Sequence, residues 1–219
     1  MIKLSDRLQV IADRLEDCKT MADIGTDHGF LPVYMVESGR CTDVIAADIS
    51  EPSLDKARRL CREHGIDRCQ LRAGDGIHVL MPGEVDGLVI AGMGGDLIIE
   101  ILSSAMDVTC TMKRIVLQPR SAIGVLRRWL VTSGFSIIHE DVVAEGRFMP
   151  EIITVIPPGQ DMDGLVNLAD AGTAGDGELY YDVPLWFTAA SGPAAERVKR
   201  VLRREKTVLE GLLNARTIE

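Results

Sequence analysis

A chain of 219 residues with 46% hydrophobic content is long enough for one ordinary domain plus a modest appendage, and apolar enough to bury a core. Its formal net charge of −9 excludes a phosphate-binding surface spread over the whole protein, because such surfaces are basic. The opening MIKLSDRLQVIADRLED is charged throughout without a signal-type apolar core, and no run approaches the ~18 apolar residues that span a bilayer, so a soluble, cytoplasmic protein with no membrane partner is expected.

In chain order, Ser5 can cap a helix whose Leu4, Leu8, Ile11 and Leu15 form one stripe and which ends before Lys19. Strand-like runs then alternate with helical ones: MADIG, a helix over 31–38, DVIAADI, a helix over 52–64, and CQLRAGD. VDGLVIAGM follows, with a helix from Asp96 to about Met106, RIVLQP, a helix over 123–133, SIIHEDVVAE and EIITVIP. This alternation predicts an α/β fold with a mostly parallel, doubly wound sheet. Only EGRFMP separates the last two strands, which predicts an antiparallel hairpin at one edge, a feature of Rossmann-like methyltransferases.

After Pro157-Pro158-Gly159 the composition turns to Gly, Asp and Ala through residues 160–176, a surface loop or insertion. Beyond Pro193 about 20 residues repeat apolar pairs at helical intervals. From Ala194 onward, seven Lys/Arg face four acids, a local charge of about +3 that leaves −12 on the other 193 residues. The expected division is a catalytic domain over 1–158 and a loop with an amphipathic helical extension over 159–219. Five cysteines, at 18, 41, 61, 69 and 110, show no CxxC or Cys/His spacing, so reduced thiols and no metal are expected.

The chemistry gathers at strand ends. Asp23-Ile24-Gly25 closes the first strand, and a glycine there lets backbone approach a ligand. A dinucleotide fingerprint would read GxGxxG, yet this loop reads Gly25-Thr26-Asp27-His28-Gly29. A carboxylate at Asp27 repels a pyrophosphate but tolerates S-adenosyl-L-methionine, whose sulfonium is positive. Asp23 can receive the methionine amino group, Asp48-Ile49 at the end of the second strand the ribose, and Asp75-Gly76 after the third the adenine. Each acid alone equally suits a turn or a helix cap; their order favours an adenosyl cofactor. Ala91-Gly92-Met93-Gly94 then offers backbone with little bulk beside a methyl donor, or a tight turn that needs positive φ.

ADIGTDHGFLP, VIAGMGG, LQP followed by LRRWL, and GFSIIHEDVVAEG, in this order and spacing, resemble the bacterial tRNA methyltransferases that modify N1 of adenine at tRNA position 22. The resemblance covers roughly residues 3–156 and continues more loosely through the C-terminal helix. It implies S-adenosyl-L-methionine as cofactor, tRNA as partner, a Rossmann-like catalytic domain and a helical extension that helps hold tRNA. The sequence departs from the family at Arg120, where asparagine is usual, and at Pro150, where tyrosine is usual.

On this reading the product adenine is cationic, so Asp27 is the candidate catalytic group that stabilises it in a low-dielectric site, or else it only stabilises the loop; His28 orients Asp27, contacts the cofactor, or is simply hydrogen-bonded locally. The adenine must be extruded to expose N1. Gln118 and Arg120 are candidate substrate contacts, with Arg127, Arg128 and Arg147 as flanking phosphate contacts. Arg197, Arg200 and Arg204 on the C-terminal helix are the candidate backbone contacts, on a face that equally suits plain solvation. Phe30 and Phe148 are the available rings, each equally suited to packing. Rival readings are a same-fold methyltransferase acting on a small molecule or protein, a nicotinamide oxidoreductase, and a non-catalytic binding module; weak homo-oligomerisation is left open.

Overall fold

The computed structural model describes residues 1–171, 181–184, 187 and 191–216. Ser5 Oγ accepts the Leu8 amide hydrogen at 3.4 Å and starts α1 (Asp6–Asp13), which buries Ile11 and Ala12. β1 (Thr20–Ile24), α2 (Phe30–Glu37) and β2 (Asp43–Asp48) follow. Ser50 caps α3 (Glu51–Glu63), and β3 (Cys69–Ala73) runs into a short 3-10 turn at Gly76–Val79. Next come β4 (Gly87–Gly94), α4 (Gly95–Ser104), α5 (Met106–Thr109) and β5 (Arg114–Ser121). α6 (Ile123–Thr132), β6 (Ser136–Val142), β7 (Glu151–Ile156), a second 3-10 turn at Leu168–Ala171 and α7 (Gly192–Arg216) follow.

The seven strands form one sheet in the order β3-β2-β1-β4-β5-β7-β6, with β1 to β5 parallel and β7 antiparallel to both β5 and β6. The predicted doubly wound sheet and antiparallel edge pair are therefore present. The chain winds outward from β1 to β3 and then crosses back to β4 beside β1, so the strand order reverses between β1 and β4. Ligands of open α/β sheets sit outside the carboxyl ends of the strands at such a reversal.

Strand alternation divides the core into two layers. Ala22, Ile24, Leu88, Ile90, Ile115 and Leu117 face the side covered by Ile98 and Leu102 of α4 and Leu126 and Leu130 of α6. Met21, Val44, Val89, Val116 and Ile152 face Ile11 and Leu15 of the N-terminal segment and Leu31 and Met35 of α2. Asp23 shares the parity of Met21, which places the first site acid on the α1/α2 side.

Several boundaries differ from expectation. The helix expected to reach about Met106 breaks at Ala105, whose φ of −146° and ψ of 66° are not helical, and α5 restarts the turn. α7 has 25 residues rather than about 20. Part of the 160–176 stretch lies outside the described residues, but its first half is anchored rather than free. Gln160 Nε2 donates to the Cys110 carbonyl at 2.6 Å, and Asn167 Oδ1 accepts the Ile137 amide at 3.0 Å. All five cysteines are free thiols.

Candidate active site

The β1–α2 loop is folded onto the end of β2. The Gly25 and Thr26 amides both donate to the Ala47 carbonyl, at 2.8 and 3.0 Å, and the Asp27 amide donates to Asp48 Oδ2 at 3.3 Å. Gly25 has φ +77°, a conformation that favours glycine, and a Cβ there would stand 2.3 Å from Met93 Cε and push that side-chain tip aside. Met93 thus underlies the loop with its side chain instead of offering bare backbone. Gly92 has φ +79° with open space where a Cβ would be, and a register shift between Ala91 and Met93 bends β4 at this point.

Asp23 is 7% exposed with no cation paired to it among the described ion pairs. Burial, reinforced by the nearby Asp48 carboxylate, raises its pKa to about 6 against the pull of Thr26 and Arg7. Thr26 Oγ1 is buried without a well-formed hydrogen bond, although it lies near enough to Asp23 to oppose that rise. Asp48 Oδ1 accepts the Ser50 amide at 2.8 Å. The β3 end is tied in by Gly74, whose amide reaches the Asp48 carbonyl at 3.2 Å. Asp75 is exposed beyond it, Gly76 is buried, and Ile49 presents a side chain to solvent at 76% exposure. The acids thus follow the β1, β2 and β3 ends in turn, with the exposed Ile49 side chain between the second and third.

Asp27 departs from the setting expected of it. Its backbone is left-handed, with φ 47°, and its carboxylate accepts from Lys56 Nζ at 3.0 Å and meets His28 Nδ1 at 2.7 Å. Lys56 and then His28 lower its pKa, and the side chain is 56% exposed, so this is a solvated, paired carboxylate over α3 rather than one in a low-dielectric pocket. His28 in turn stacks on Phe30 at 5.3 Å with 5° between the planes. The Asp27–His28–Phe30 series therefore forms the outer lip of the loop.

On the other side of Gly92 a cleft of about 610 Å³ opens between the β5 end and the β6–β7 hairpin. Pro119, Ile123, Phe148, Met149 and Pro150 supply apolar walls, and Arg7, Gln118, Arg120 and Glu145 the polar groups. Gln118 is 4% exposed; its Oε1 accepts from Arg7 NH1 at 3.1 Å, and its Nε2 donates to the Pro119 carbonyl at 2.8 Å. Arg7 also pairs with Glu145 at 3.5 Å. Phe148 is 60% exposed and lies under the Arg147 guanidinium at 5.0 Å.

Beneath the cleft lies an ionic cluster that sequence reading did not foresee. Arg127, expected at a phosphate, is fully buried; it donates to Glu140 at 2.6 Å, to Glu151 and to the Tyr181 carbonyl at 2.6 Å, with the Phe187 ring 5.7 Å away. Arg197 reaches the other Glu151 oxygen at 2.5 Å and so fastens α7 to β7. A buried guanidinium committed to two carboxylates is unavailable to phosphate, which corrects the surface role read for Arg127. Arg197 borders the cleft but is held in the same cluster, Arg200 donates to the Arg147 carbonyl at 2.9 Å, and Arg204 pairs with Glu205. Among the described residues no group of His, Cys, Asp and Glu could hold a metal ion, and no helix is long and apolar enough to cross a membrane.

A family model described as a methyltransferase domain matches residues 4–153. Over 145 residues the chain is 37% identical to the tRNA (adenine(22)-N(1))-methyltransferase of Bacillus subtilis strain 168, taking in 66% of this chain and 61% of that relative's length. The chain thus matches less than two thirds of that relative. The crystal structure of the B. subtilis m1A22 tRNA methyltransferase TrmK superposes with a TM-score of 0.69 at 28% identity, covering 96% of this chain and 99% of that one. A Streptococcus pneumoniae protein provisionally assigned as a tRNA (m1A22) methyltransferase, crystallised with S-adenosyl-L-methionine, superposes with a TM-score of 0.78 at 26% identity, covering 95% and 92%.

Proposed function

We propose, from the premise that this chain belongs to the methyltransferase-domain family, that it transfers a methyl group from S-adenosyl-L-methionine to N1 of an adenine in tRNA, at position 22 as in the relatives it resembles. One observation carries the reading: a row of strand-end carboxylates lies at the reversal of the sheet, and Gly92 joins it to a second, arginine- and glutamine-lined cleft. Two compartments meeting at bare backbone suit two substrates that must meet at one atom.

The residues fit the cofactor. Asp23 is a buried acid with no cation paired to it among the described residues, and an ammonium group would relieve the burial penalty that raises its pKa. Asp48 would accept from the ribose hydroxyls, Asp75 from the adenine amine, and Ile49 and Gly76 would flank the ring. Gly25, Thr26 and His28 would line the loop side, with Ala91, Gly92, Met93 and Gly94 along the β4 side. When bound, the cofactor supplies an electrophilic methyl group on a cationic sulfur. Adenine N1 already holds a lone pair, so the chain needs to align and desolvate it rather than remove a proton.

Asp27, held by Lys56 and His28, is assigned here to keeping the loop in shape. Gln118 and Arg120 would contact the substrate nucleoside; Arg200 and Arg204 would offer charge to its backbone, while Arg197 positions α7. We assign residues 1–158 to catalysis and 159–219 to holding tRNA, in the cytoplasm. Mass spectrometry of nucleosides from unmodified tRNA incubated with protein and cofactor tests the proposal. The expected product is 1-methyladenosine from one position; a methyl group found on another atom, or only on small molecules or protein, would overturn it.

A further inference from the structure

The cleft contains an amide whose orientation is fixed from both sides. Arg7 can only donate hydrogen bonds, and the Pro119 carbonyl can only accept them, so Gln118 must hold its Oε1 toward Arg7 and its Nε2 toward Pro119. A flipped amide would set two donors face to face at one end and two acceptors at the other. Arg7 is held in turn by Glu145 at 3.5 Å, across the cleft on the hairpin. Gln118 is 4% exposed, so the geometry is built into the floor rather than adopted by a free surface side chain. Each of its polar atoms keeps one further position, because an amide oxygen has two lone pairs and an amide nitrogen two hydrogens.

An acceptor and a donor side by side match one edge of adenine. N6–H donates and N7 accepts, and a glutamine can engage both at once. Guanine offers two acceptors, O6 and N7, on the same edge, and its O6 would meet the Gln118 oxygen. The match has a further consequence for the proposed chemistry. N6 and N7 lie on the Hoogsteen edge, so a purine held there keeps N1, on the opposite side of C6, free to point toward Gly92 and the methyl donor.

We infer that Gln118 reads the Hoogsteen edge of the extruded adenine, and that Arg7, from the first helix, is the positioning residue that fixes the amide in its adenine-reading orientation. This rests on the tRNA adenine-N1 reading above and adds to it how the base is chosen. Arg7 need not touch the base; it acts through Gln118.

The test uses the full chain and tRNA transcripts that carry either adenosine or 7-deazaadenosine at the methylated position, compared by kcat/KM for methyl transfer. Replacing N7 by C–H removes one of the two hydrogen bonds, and the unmodified protein should lose about 10- to 100-fold on the deaza transcript. Gln118→Glu keeps an acceptor for N6–H but turns a second acceptor toward N7, so it should abolish the preference for adenosine or invert it toward the deaza transcript. Arg7→Met frees the amide to rotate and should shrink the penalty, while Arg7→Lys, which still donates to Oε1, should restore most of it. The ratio between transcripts is read within one enzyme, so general damage to the fold does not produce the effect; melting temperature and cofactor affinity check each variant.

Equal rates on both transcripts by the unmodified protein would overturn the inference even if no variant folded. A full penalty retained by folded Arg7→Met would remove Arg7 from it. Efficient N1 methylation of adenosine with no deaza effect refutes only this edge reading, whereas no methylation of any tRNA adenine refutes the function beneath it as well.

Discussion

The two halves of the mouth are built on opposite principles. On the β1–β3 side Asp23 is buried with no cation paired to it among the described residues and is pushed toward protonation partly by Asp48, while Asp75 is exposed. On the β5–β7 side every buried charge is answered, with Arg127 between Glu140 and Glu151 and Arg197 closing the series. The first half is electrostatically incomplete and would gain by taking in a cation. The second is complete at its base, with Arg120 and the Gln118 amide lining the cleft above it; on the proposed function these would meet a neutral base and its phosphates. Incompleteness therefore marks where a charged ligand fits, and completeness marks what must hold still while it does.

This contrast can be broken at four places, in decreasing order of expected effect. Arg127→Ala takes the shared guanidinium from two buried carboxylates, leaving Glu151 with Arg197 alone, and should lower unfolding free energy in urea by about 3–5 kcal/mol. A loss under about 1 kcal/mol would mean that the cluster contributes little to holding the cleft.

Asp23→Asn should do the reverse to the ligand-free protein. The native carboxyl, with its pKa near 6, holds a proton between about pH 4 and 6 that the unfolded chain has released. Its penalty is thus absent below about pH 4, grows as pH rises, and is full above about pH 6. The variant should be more stable by about 2–3 kcal/mol at pH 7, and the advantage should vanish near pH 4. Equal stability at pH 7 would show that Asp23 carries no such penalty.

Asp48→Ala should weaken cofactor binding by about 1–3 kcal/mol through lost charge-assisted hydrogen bonds, with unchanged calorimetric affinity in a folded variant as the contrary outcome. The smallest effect is expected at Asp27, whose charge is already shared with Lys56 and His28. Asp27→Asn should slow single-turnover methyl transfer by less than about threefold, since little transition-state stabilisation is lost. A slowing of tenfold or more would restore the direct electrostatic role that its sequence position suggested.

The two halves also differed in how far they could be read in advance. Asp23, Asp48 and Asp75 announce themselves because each lies at or just beyond the end of a strand run, and the doubly wound order follows from alternating strands and helices. The cleft half is assembled across long separations: Arg7 meets Gln118 over 111 residues and Arg197 meets Glu151 over 46. No local pattern marks such pairs. Arg127 looked like a surface arginine because LRRWL shows two adjacent arginines, and only the packing of α6 against β6 and β7 decides that one is buried. Asp27 was read correctly as a loop carboxylate, but Lys56, which pairs with it, lies 29 residues on, in α3.

The central claim is that the incomplete acid half receives a cationic adenosyl amino acid, and isothermal titration of S-adenosyl-L-methionine into the protein between pH 5 and 8 tests it most directly. Because a bound ammonium group favours ionised Asp23, affinity should fall roughly tenfold per pH unit below about pH 6 and level off above it, and Asp23→Asn should abolish that dependence. Affinity that is flat across the range in the unmodified protein, or a pH profile unchanged in Asp23→Asn, would contradict it.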